Sequence, residues 1–409
     1  MNTLNTLANP KRCSKRHRAR RIAGALLFGL ALGGCAVNPR CPPVAPPPDN
    51  ALRYESADWS ALPGWSTDRL EEAWPAYLES CRDLRFRAVW SEVCAAAQAL
   101  APGATAADIR GYFQQYFGAY RLRRGAGPRA QLTGLVTGYY EPLLKGARSP
   151  SAQFGAALYS PPPDLLTVDL ASLYPELKGK AVRARLDGSR VVPYYTRAEL
   201  GADPALRGKE LLWVDSALDA FTLEIQGSGR VQLDDGETIR VQYADQNGQP
   251  YHSIGRYLVD QGLLTVDQAT MPGIRAWLEA HPERMQEVLD ANPSVVFFKE
   301  TPLGDPQEGP KGAEGVALTA GRSIAVDPAF VPLGAPVFLA TTFPAADTPL
   351  ERLVIAQDTG GAIRGAPRAD FFWGTGTEAR DMAGKMRQQG EMWLLWPRGL
   401  PLPQPPKQP

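Results

Sequence analysis

The residues able to do chemistry sit in four short clusters of carboxylates, amides, hydroxyls and aromatic rings. Thr137-Gly138-Tyr139-Tyr140-Glu141-Pro142 places two tyrosines where a strand would turn, and Val192-Pro193-Tyr194-Tyr195-Thr196 is a second tyrosine pair. Glu224-Ile225-Gln226-Gly227-Ser228-Gly229-Arg230 reads as a strand ending in a glycine turn, whose backbone N–H groups could meet a ligand. The richest cluster runs Gln357-Asp358-Thr359-Gly360-Gly361, then Arg368-Ala369-Asp370-Phe371-Phe372-Trp373. This inventory suits carbohydrate, since sugar C–H faces pack on aromatic rings and sugar hydroxyls pair with amides and carboxylates. Asp370 is the candidate acid. The aromatic run after it would desolvate the carboxyl, favour its neutral form and raise its pKa, as a general acid near neutral pH requires. Plainer roles stay open at this level. Tyrosine pairs in strands are often half core and half edge, Gly227 and Gly229 could shape a bulge, and Asp358 before Thr-Gly-Gly could cap a turn.

Other chemistries fall away by inventory. Of three histidines, His17 lies in a basic leader, and His252 and His281 stand 29 positions apart, with no HExxH. A zinc site of ordinary spacing cannot be drawn from these, so no metal and no cofactor are expected. GxSxG is absent, which removes the usual serine-hydrolase elbow. Cys41, Cys81 and Cys94 fall in a linker or in packed helix, and there is no CxxC.

The charge balance divides the chain. Against 43 acidic residues stand 44 basic ones, but seven of these bases lie within residues 1–34, which hold no acid. Without them, 37 bases face 43 acids, a net of −6. A body of that sign does not fit a nucleic-acid binder, which needs a basic patch against phosphate. The basic run Lys11–Arg21 precedes the apolar stretch Ile22–Leu32. That stretch is too short for the roughly 20 residues of a membrane span, but it fits an export signal. It ends in Leu32-Gly33-Gly34-Cys35, which resembles the lipobox of bacterial lipoproteins, whose cysteine is lipidated and becomes the mature N-terminus. Ala36 is not the aspartate that retains many lipoproteins at the inner membrane, so the expected address is the periplasmic face of the outer membrane. Residues 1–34 are then a signal peptide, 35–50 a proline-rich tether, and 397–409 a disordered proline-rich tail.

The elements that must position the clusters are legible in outline. Residues 66–118 read as helical, with Thr105-Ala-Ala-Asp108 as a capping box and Pro75 as a break or restart. Cys81 and Cys94 fall in adjacent helical segments and could bridge a helical hairpin, possible in an oxidising compartment. Strand patterns cover Gln131–Tyr140, Ala181–Tyr195, Glu210–Val214, Phe221–Leu233 and Thr238–Tyr243. A helical patch over Ser253–Asp290 is followed by short strands at Ser294–Lys299, Arg322–Val326, Pro336–Ala340, Arg352–Gln357 and Met392–Trp396. No repeat is present, and without βαβ alternation or GxGxxG the class is a β-rich α+β fold.

Four longer motifs carry a resemblance. GYYEP at 138–142, IQGSGR at 225–230, NPSVVFFKE at 292–300 and GAEGVALTAGRSIAVDPAFVPLG at 312–334 occur in the order seen in the membrane-bound lytic murein transglycosylase A family. The C-terminal part resembles its 3D domain, named for three aspartates, which here would be Asp327, Asp358 and Asp370. The resemblance implies a double-psi β-barrel domain interrupted by a smaller inserted β-barrel domain, with a groove between them. Its parts would be residues 51–144 and 291–396, with the insert at 145–290. It implies a lytic transglycosylase that binds peptidoglycan glycan strands. The enzyme would cut the β-1,4 bond from N-acetylmuramic acid to N-acetylglucosamine without water, leaving a 1,6-anhydromuramoyl end. Asp370 would be the catalytic acid and then base. Asp358 and Thr359 would line the groove, Tyr139, Tyr140, Gln226, Gly227 and Ser228 would contact glycan, and Asp327 would serve a structural turn. A monomer, with membership of cell-wall complexes, is the expected state. A hydrolytic glycosidase on the same fold and a non-catalytic peptidoglycan-binding lipoprotein are the alternatives.

Overall fold

The computed structural model describes residues 51–404 apart from 101–102, 175–176, 178–181 and 203. The expected lipidation site Cys35, the expected tether with Cys41, and the last five residues of the chain lie outside the described residues.

The chain opens with β1 (Leu52–Ala57) and passes into α1 (Trp74–Leu84), α2 (Ser91–Leu100) and α3 (Ala106–Tyr116). Pro75 sits in the first turn of α1, where its missing N–H costs nothing, so it starts the helix rather than breaking one. Cys81 and Cys94 are joined in a disulfide between α1 and α2. The capping box before α3 is complete, with the Thr105 side chain accepting from Asp108 N–H and the Asp108 side chain accepting from Thr105 N–H. Next come β2 (Phe117–Arg124), which the sequence pattern did not separate from the helix before it, and β3 (Gly134–Glu141).

One residue, Pro142, separates β3 from β4 (Leu143–Ala147), the first strand of a second sheet. Then follow β5 (Ala156–Tyr159), β6 (Leu166–Thr167), β7 (Arg183–Asp187), β8 (Arg190–Pro193), α4 (Arg197–Ala202), β9 (Glu210–Val214), α5 (Ala217–Gln226), β10 (Ser228–Leu233) and β11 (Thr238–Gln246). The helical patch resolves into α6 (Ile254–Asp260), α7 (Met271–Ala280) and α8 (Met285–Asp290) before β12 (Val296–Thr301). The last part contributes β13 (Ser323–Ala325), β14 (Pro336–Thr342), β15 (Pro349–Asp358), β16 (Ala369–Thr375), α9 (Gly376–Lys385) and β17 (Arg387–Pro397).

Two expectations are corrected. The single strand over Ala181–Tyr195 is the hairpin β7–β8, turning at Gly188. The strand over Phe221–Leu233 is helix α5 followed by β10. Phe-Thr-Leu-Glu-Ile alternates like a strand, but Ser216 caps the helix by accepting from Asp219 N–H, and Gly227 ends it in the left-handed conformation at φ 78°. In a strand Ile225 would share the buried face of Phe221 and Leu223, whereas here it is exposed.

The strands form an eight-stranded sheet in the order β1-β2-β17-β14-β15-β13-β16-β3, a six-stranded sheet β12-β11-β10-β4-β9-β5, and a three-stranded sheet β6-β7-β8. In the first sheet β17 also bonds β3, so the pairings run in a cycle through β17, β14, β15, β13, β16 and β3. Its core is built on Phe113, Phe117, Phe338, Ile355, Phe371 and Trp393. The six-stranded sheet buries Leu212, Val231, Val241 and Phe298. The first tail residues, expected to be disordered, are tied down: Arg398 N–H donates to the Tyr116 carbonyl and the Trp396 indole N–H to that of Pro401, both at 2.9 Å.

The crossing at Pro142 is held by charge. Glu141 is fully buried and accepts from Arg230 Nε at 2.8 Å and from Arg240 Nε at 2.7 Å. The same guanidinium groups donate onward to the carbonyls of Pro306 and Glu308, which fixes the chain where it returns to the first sheet. Removing one member of such a buried group leaves charge without a partner. Glu141→Ala should therefore lower the unfolding free energy by about 3–5 kcal/mol. Chemical denaturation followed by tryptophan fluorescence measures this, and a loss near zero would show that the triad does not hold the crossing.

Candidate active site

Asp370 is the second residue of β16 and is in register with Thr137 of β3, so these two polar side chains sit opposite each other on one face. Thr137 Oγ1 donates to Asp370 Oδ1 at 2.6 Å. Arg368 Nη2 in turn donates to Thr137 Oγ1 at 2.9 Å, which orients the hydroxyl proton toward the carboxyl. Burial pushes the Asp370 pKa up, against the opposing pull of the Thr137 hydrogen bond and the Arg368 charge. By surface area the residue as a whole is half-buried.

Strand β13 sets the spacing of the acids. Ala325 is the register partner of Asp370 on one side and of Asp358 on the other. Two inter-strand steps put the two aspartate backbones about 9–10 Å apart. Asp358 Oδ1 accepts from the N–H groups of Ala313 and Thr359, both at 2.9 Å. These bonds favour the carboxylate, but burial outweighs them and raises the pKa to about 6. Asp327, two residues beyond Ala325, is spent on structure. Its Oδ2 accepts from Gly365 N–H at 2.7 Å and its Oδ1 from Ala329 N–H at 3.1 Å, which holds the loop between Asp358 and Asp370.

Tyr139 joins this cluster and Tyr140 does not. Neighbouring strand residues point to opposite faces. The Tyr139 ring lies 5.1 Å from Phe372, within a small apolar group that includes Leu318, Ala325 and Ile363. Its buried hydroxyl is close enough to Asp358 and Asp370 for both to raise its pKa, behind burial as the main cause, although it makes no well-formed hydrogen bond. Tyr140 turns toward Asp219, Arg275 and Arg380 on the other face. Gly138 between strand and helix has no room for a side chain, since a Cβ there would lie 2.7 Å from the Trp373 indole nitrogen and 2.9 Å from Ala383 of α9.

The remaining expected contacts have structural partners. Gln226 Oε1 accepts from Tyr140 N–H at 3.0 Å and so ties α5 to β3. Gly227 is the left-handed cap of α5, and its carbonyl accepts from Tyr243 N–H at 2.7 Å. Ser228 is buried at the start of β10. Thr359 contributes its backbone N–H to Asp358. Size does not identify the site. A cavity of about 730 Å³ lies along the second sheet, lined by Leu158, Arg197, Phe221, Glu224 and Phe298, and its Glu224 has both oxygens taken by Arg197 at 2.9 and 2.7 Å. Neither Asp358 nor Asp370 lines it.

Sequence reading missed the support behind Asp358. Ser80 of α1 donates to Glu314 at 2.7 Å and accepts from Gln357 Nε2 at 3.0 Å, while Glu314 N–H bonds the Gln357 carbonyl. Ser80 stands more than two hundred positions from both partners along the chain, and no local signal pairs them.

The chain matches the "MltA specific insert domain" family over residues 135–299 and the "3D domain" family over residues 322–396. The membrane-bound lytic murein transglycosylase A of Escherichia coli K12 is 33% identical over 269 residues, 63% of this chain and 64% of that protein. The aligned part thus spans just under two thirds of that curated relative. Among solved structures, MltA from Neisseria gonorrhoeae is 35% identical with TM-score 0.74, covering 87% of this chain and 95% of the other. The lytic transglycosylase LtgG of Burkholderia pseudomallei is 45% identical with TM-score 0.56 over 87% and 98%. E. coli MltA with bound chitohexaose is 27% identical with TM-score 0.63 over 85% and 94%. The chain belongs to the membrane-bound lytic murein transglycosylase A family. The family's β-rich α+β fold is the one described above. Its curated members carry the name membrane-bound, and no helix among the described residues of this chain is long and apolar enough to cross a membrane.

The acids of the site predict a pH dependence of stability. Burial raises the Glu314 pKa to about 7 and that of Asp358 to about 6, whereas unfolded carboxyls ionise near about 4. The folded state keeps these protons while the unfolded state releases them, so their contribution to stability falls as pH rises from about 4 to about 7. Glu314→Gln should therefore show a smaller decline in thermal midpoint between about pH 5 and pH 8 than the unaltered protein. Parallel declines would show that Glu314 titrates normally.

Proposed function

We propose that this chain is a lytic transglycosylase that cleaves the β-1,4 bond between N-acetylmuramic acid and N-acetylglucosamine in peptidoglycan and forms 1,6-anhydromuramic acid ends. The observation that carries the reading is the Asp370 carboxyl, held by Thr137 and biased by burial toward its protonated form. Family membership supports the same substrate class, and the E. coli relative with bound chitohexaose supports a glycan strand as the occupant.

The chemistry needs one enzymic acid–base group. Protonated Asp370 donates to the glycosidic oxygen as the bond to the anomeric carbon breaks, and the bonding electrons leave with that oxygen. The C6 hydroxyl of the same muramoyl ring attacks the oxocarbenium-like carbon, and its proton passes to the Asp370 carboxylate, which restores the acid. No water is consumed and no protein nucleophile is required. Asp358 would supply negative charge facing the cationic centre, and Tyr139 and Thr359 would line the same side of the glycan. The bond from Thr137 keeps one Asp370 oxygen engaged and leaves the other for the substrate.

The surroundings extend the reading. The cycle of six strands would be the double-psi barrel, residues 145–290 would be the insert, and the glycan would lie in the groove between them. Lipidation at Cys35 would hold the enzyme on the periplasmic face of the outer membrane by the proline-rich tether. A hydrolytic glycosidase uses two carboxyls, and the presence of Asp358 across β13 from Asp370 makes that the reading to test against.

Asp370→Asn should reduce release of muropeptides from sacculi by at least about a hundredfold, the low end of the range for general acid–base catalysis. Its thermal midpoint should not fall, because burial already disfavours the charged form of this carboxyl and the Asn oxygen can still accept from Thr137. Wild-type activity in that variant would overturn the assignment. Mass spectrometry of the digest should show products lighter by one water than their hydrated counterparts, and reducing ends alone would make the enzyme a hydrolase.

A further inference from the structure

The side of β3 that faces away from Asp370 carries a second cavity, of about 310 Å³. Tyr140, Asp219, Thr222, Arg275, Thr377 and Arg380 line it. They come from β3, α5, α7 and the first turns of α9, so four elements converge on it. Arg275 donates both terminal nitrogens to Asp219, and both side chains remain more than a third exposed. Arg380 is over half exposed, and its hydrogen bond is to its neighbour Asp381 at 3.3 Å. The Tyr140 hydroxyl lies within the field of all four charged groups.

This lining does not match a sugar ring alone. Two guanidinium groups within one small cavity call for carboxylate, while Asp219 opposes a polyanion such as a nucleic-acid backbone and favours an ammonium group beside the anion. A ligand with both signs close together meets the charged part of the lining, Pro142, Leu143 and Leu144 supply an apolar wall, and peptides that contain a diamino acid have that chemistry. We propose that this cavity binds the stem peptide of peptidoglycan, with Arg380 and Arg275 receiving its carboxylates and Asp219 its free amine. The proposal rests on the peptidoglycan reading above and extends it from the glycan to the peptide.

Tyr140 lies three residues along β3 from Thr137, which holds Asp370, and three residues of strand span about 10 Å. A stem of three or four extended residues covers about 10–14 Å. Because the chain crosses at Pro142 to the second sheet and the cavity lies on the face of β3 away from Asp370, the peptide it would take is one borne by a muramoyl unit lying against that face, not by the unit at Asp370. Binding there would make a peptide-bearing strand a better substrate than a bare one.

The test compares two substrates: glycan strands carrying their peptides, and the same strands stripped of peptide by an amidase. With the full chain, Arg380→Ala should lower the ratio of kcat/KM for peptide-bearing over bare strands by about tenfold, mostly through KM. Arg380→Lys should restore part of that ratio because it keeps the charge. An unchanged ratio in Arg380→Ala would overturn the proposal, whatever the absolute rates. Calorimetry with an isolated stem tetrapeptide is independent of turnover. The unaltered protein should bind it and Arg380→Ala should bind about tenfold more weakly, whereas equal affinity or no binding to either would overturn the site. Failure of the transglycosylase reading would appear separately, as no anhydro product from either substrate.

Discussion

A single buried carboxylate decides whether the two larger sheets of this protein meet in one geometry. Glu141 ends β3, and the next strand, one proline later, belongs to the other sheet. With two arginines from β10 and β11 closing on it, the end of β3 cannot slide, because a shift of one residue would put the charge into an apolar face. The same register places Thr137 against Asp370 and Tyr139 against Phe372. The position of the acid thus depends on an ion cluster four residues further along the strand. The arginines also bond the carbonyls at 306 and 308, so the returning chain is fixed by the same charges.

The site holds its two carboxyls with different neighbours. Asp358 receives two backbone N–H groups, which support a negative charge, and still remains harder to ionise than a free carboxyl because it is buried. Asp370 receives one hydroxyl, itself held by Arg368, and is pushed the same way by burial. Fewer donors on Asp370 leave its proton available, and this difference suits it better to give and retake a proton. Strand β13 keeps the two acids at a fixed separation, since its Ala325 is the common neighbour and adds no bulk between them.

Much of the fold was legible where signals were local. The capping box at Thr105, the helical segments before residue 117 and the hairpin that brings Cys81 to Cys94 all follow from residues close together in the chain. Alternation misled where two periods competed, as in α5, where Phe-Thr-Leu-Glu-Ile reads as a strand until the Ser216 cap and the Gly227 stop are weighed. The tyrosine pair shows the same limit in the site. The sequence offers both residues as glycan contacts, and a strand sends one to each face. Tyr139 meets the aspartates and Tyr140 meets the arginines.

By itself the sequence determined the chemistry available to this protein. With two histidines and three cysteines in the body beyond Cys35, and with aromatic and carboxyl clusters, acid–base work by an aspartate was the reading left standing. It also marked Asp370 as the acid its neighbours would desolvate. Only the tertiary structure decided which groups touch that acid. Thr137 lies 233 positions away, and Ala325 pairs with both aspartates through hydrogen bonds between strands distant in the chain. Sequence pattern reports on neighbours within a turn or a strand, whereas the pKa of a carboxyl depends on the charges and solvent around it, and those are brought together by folding.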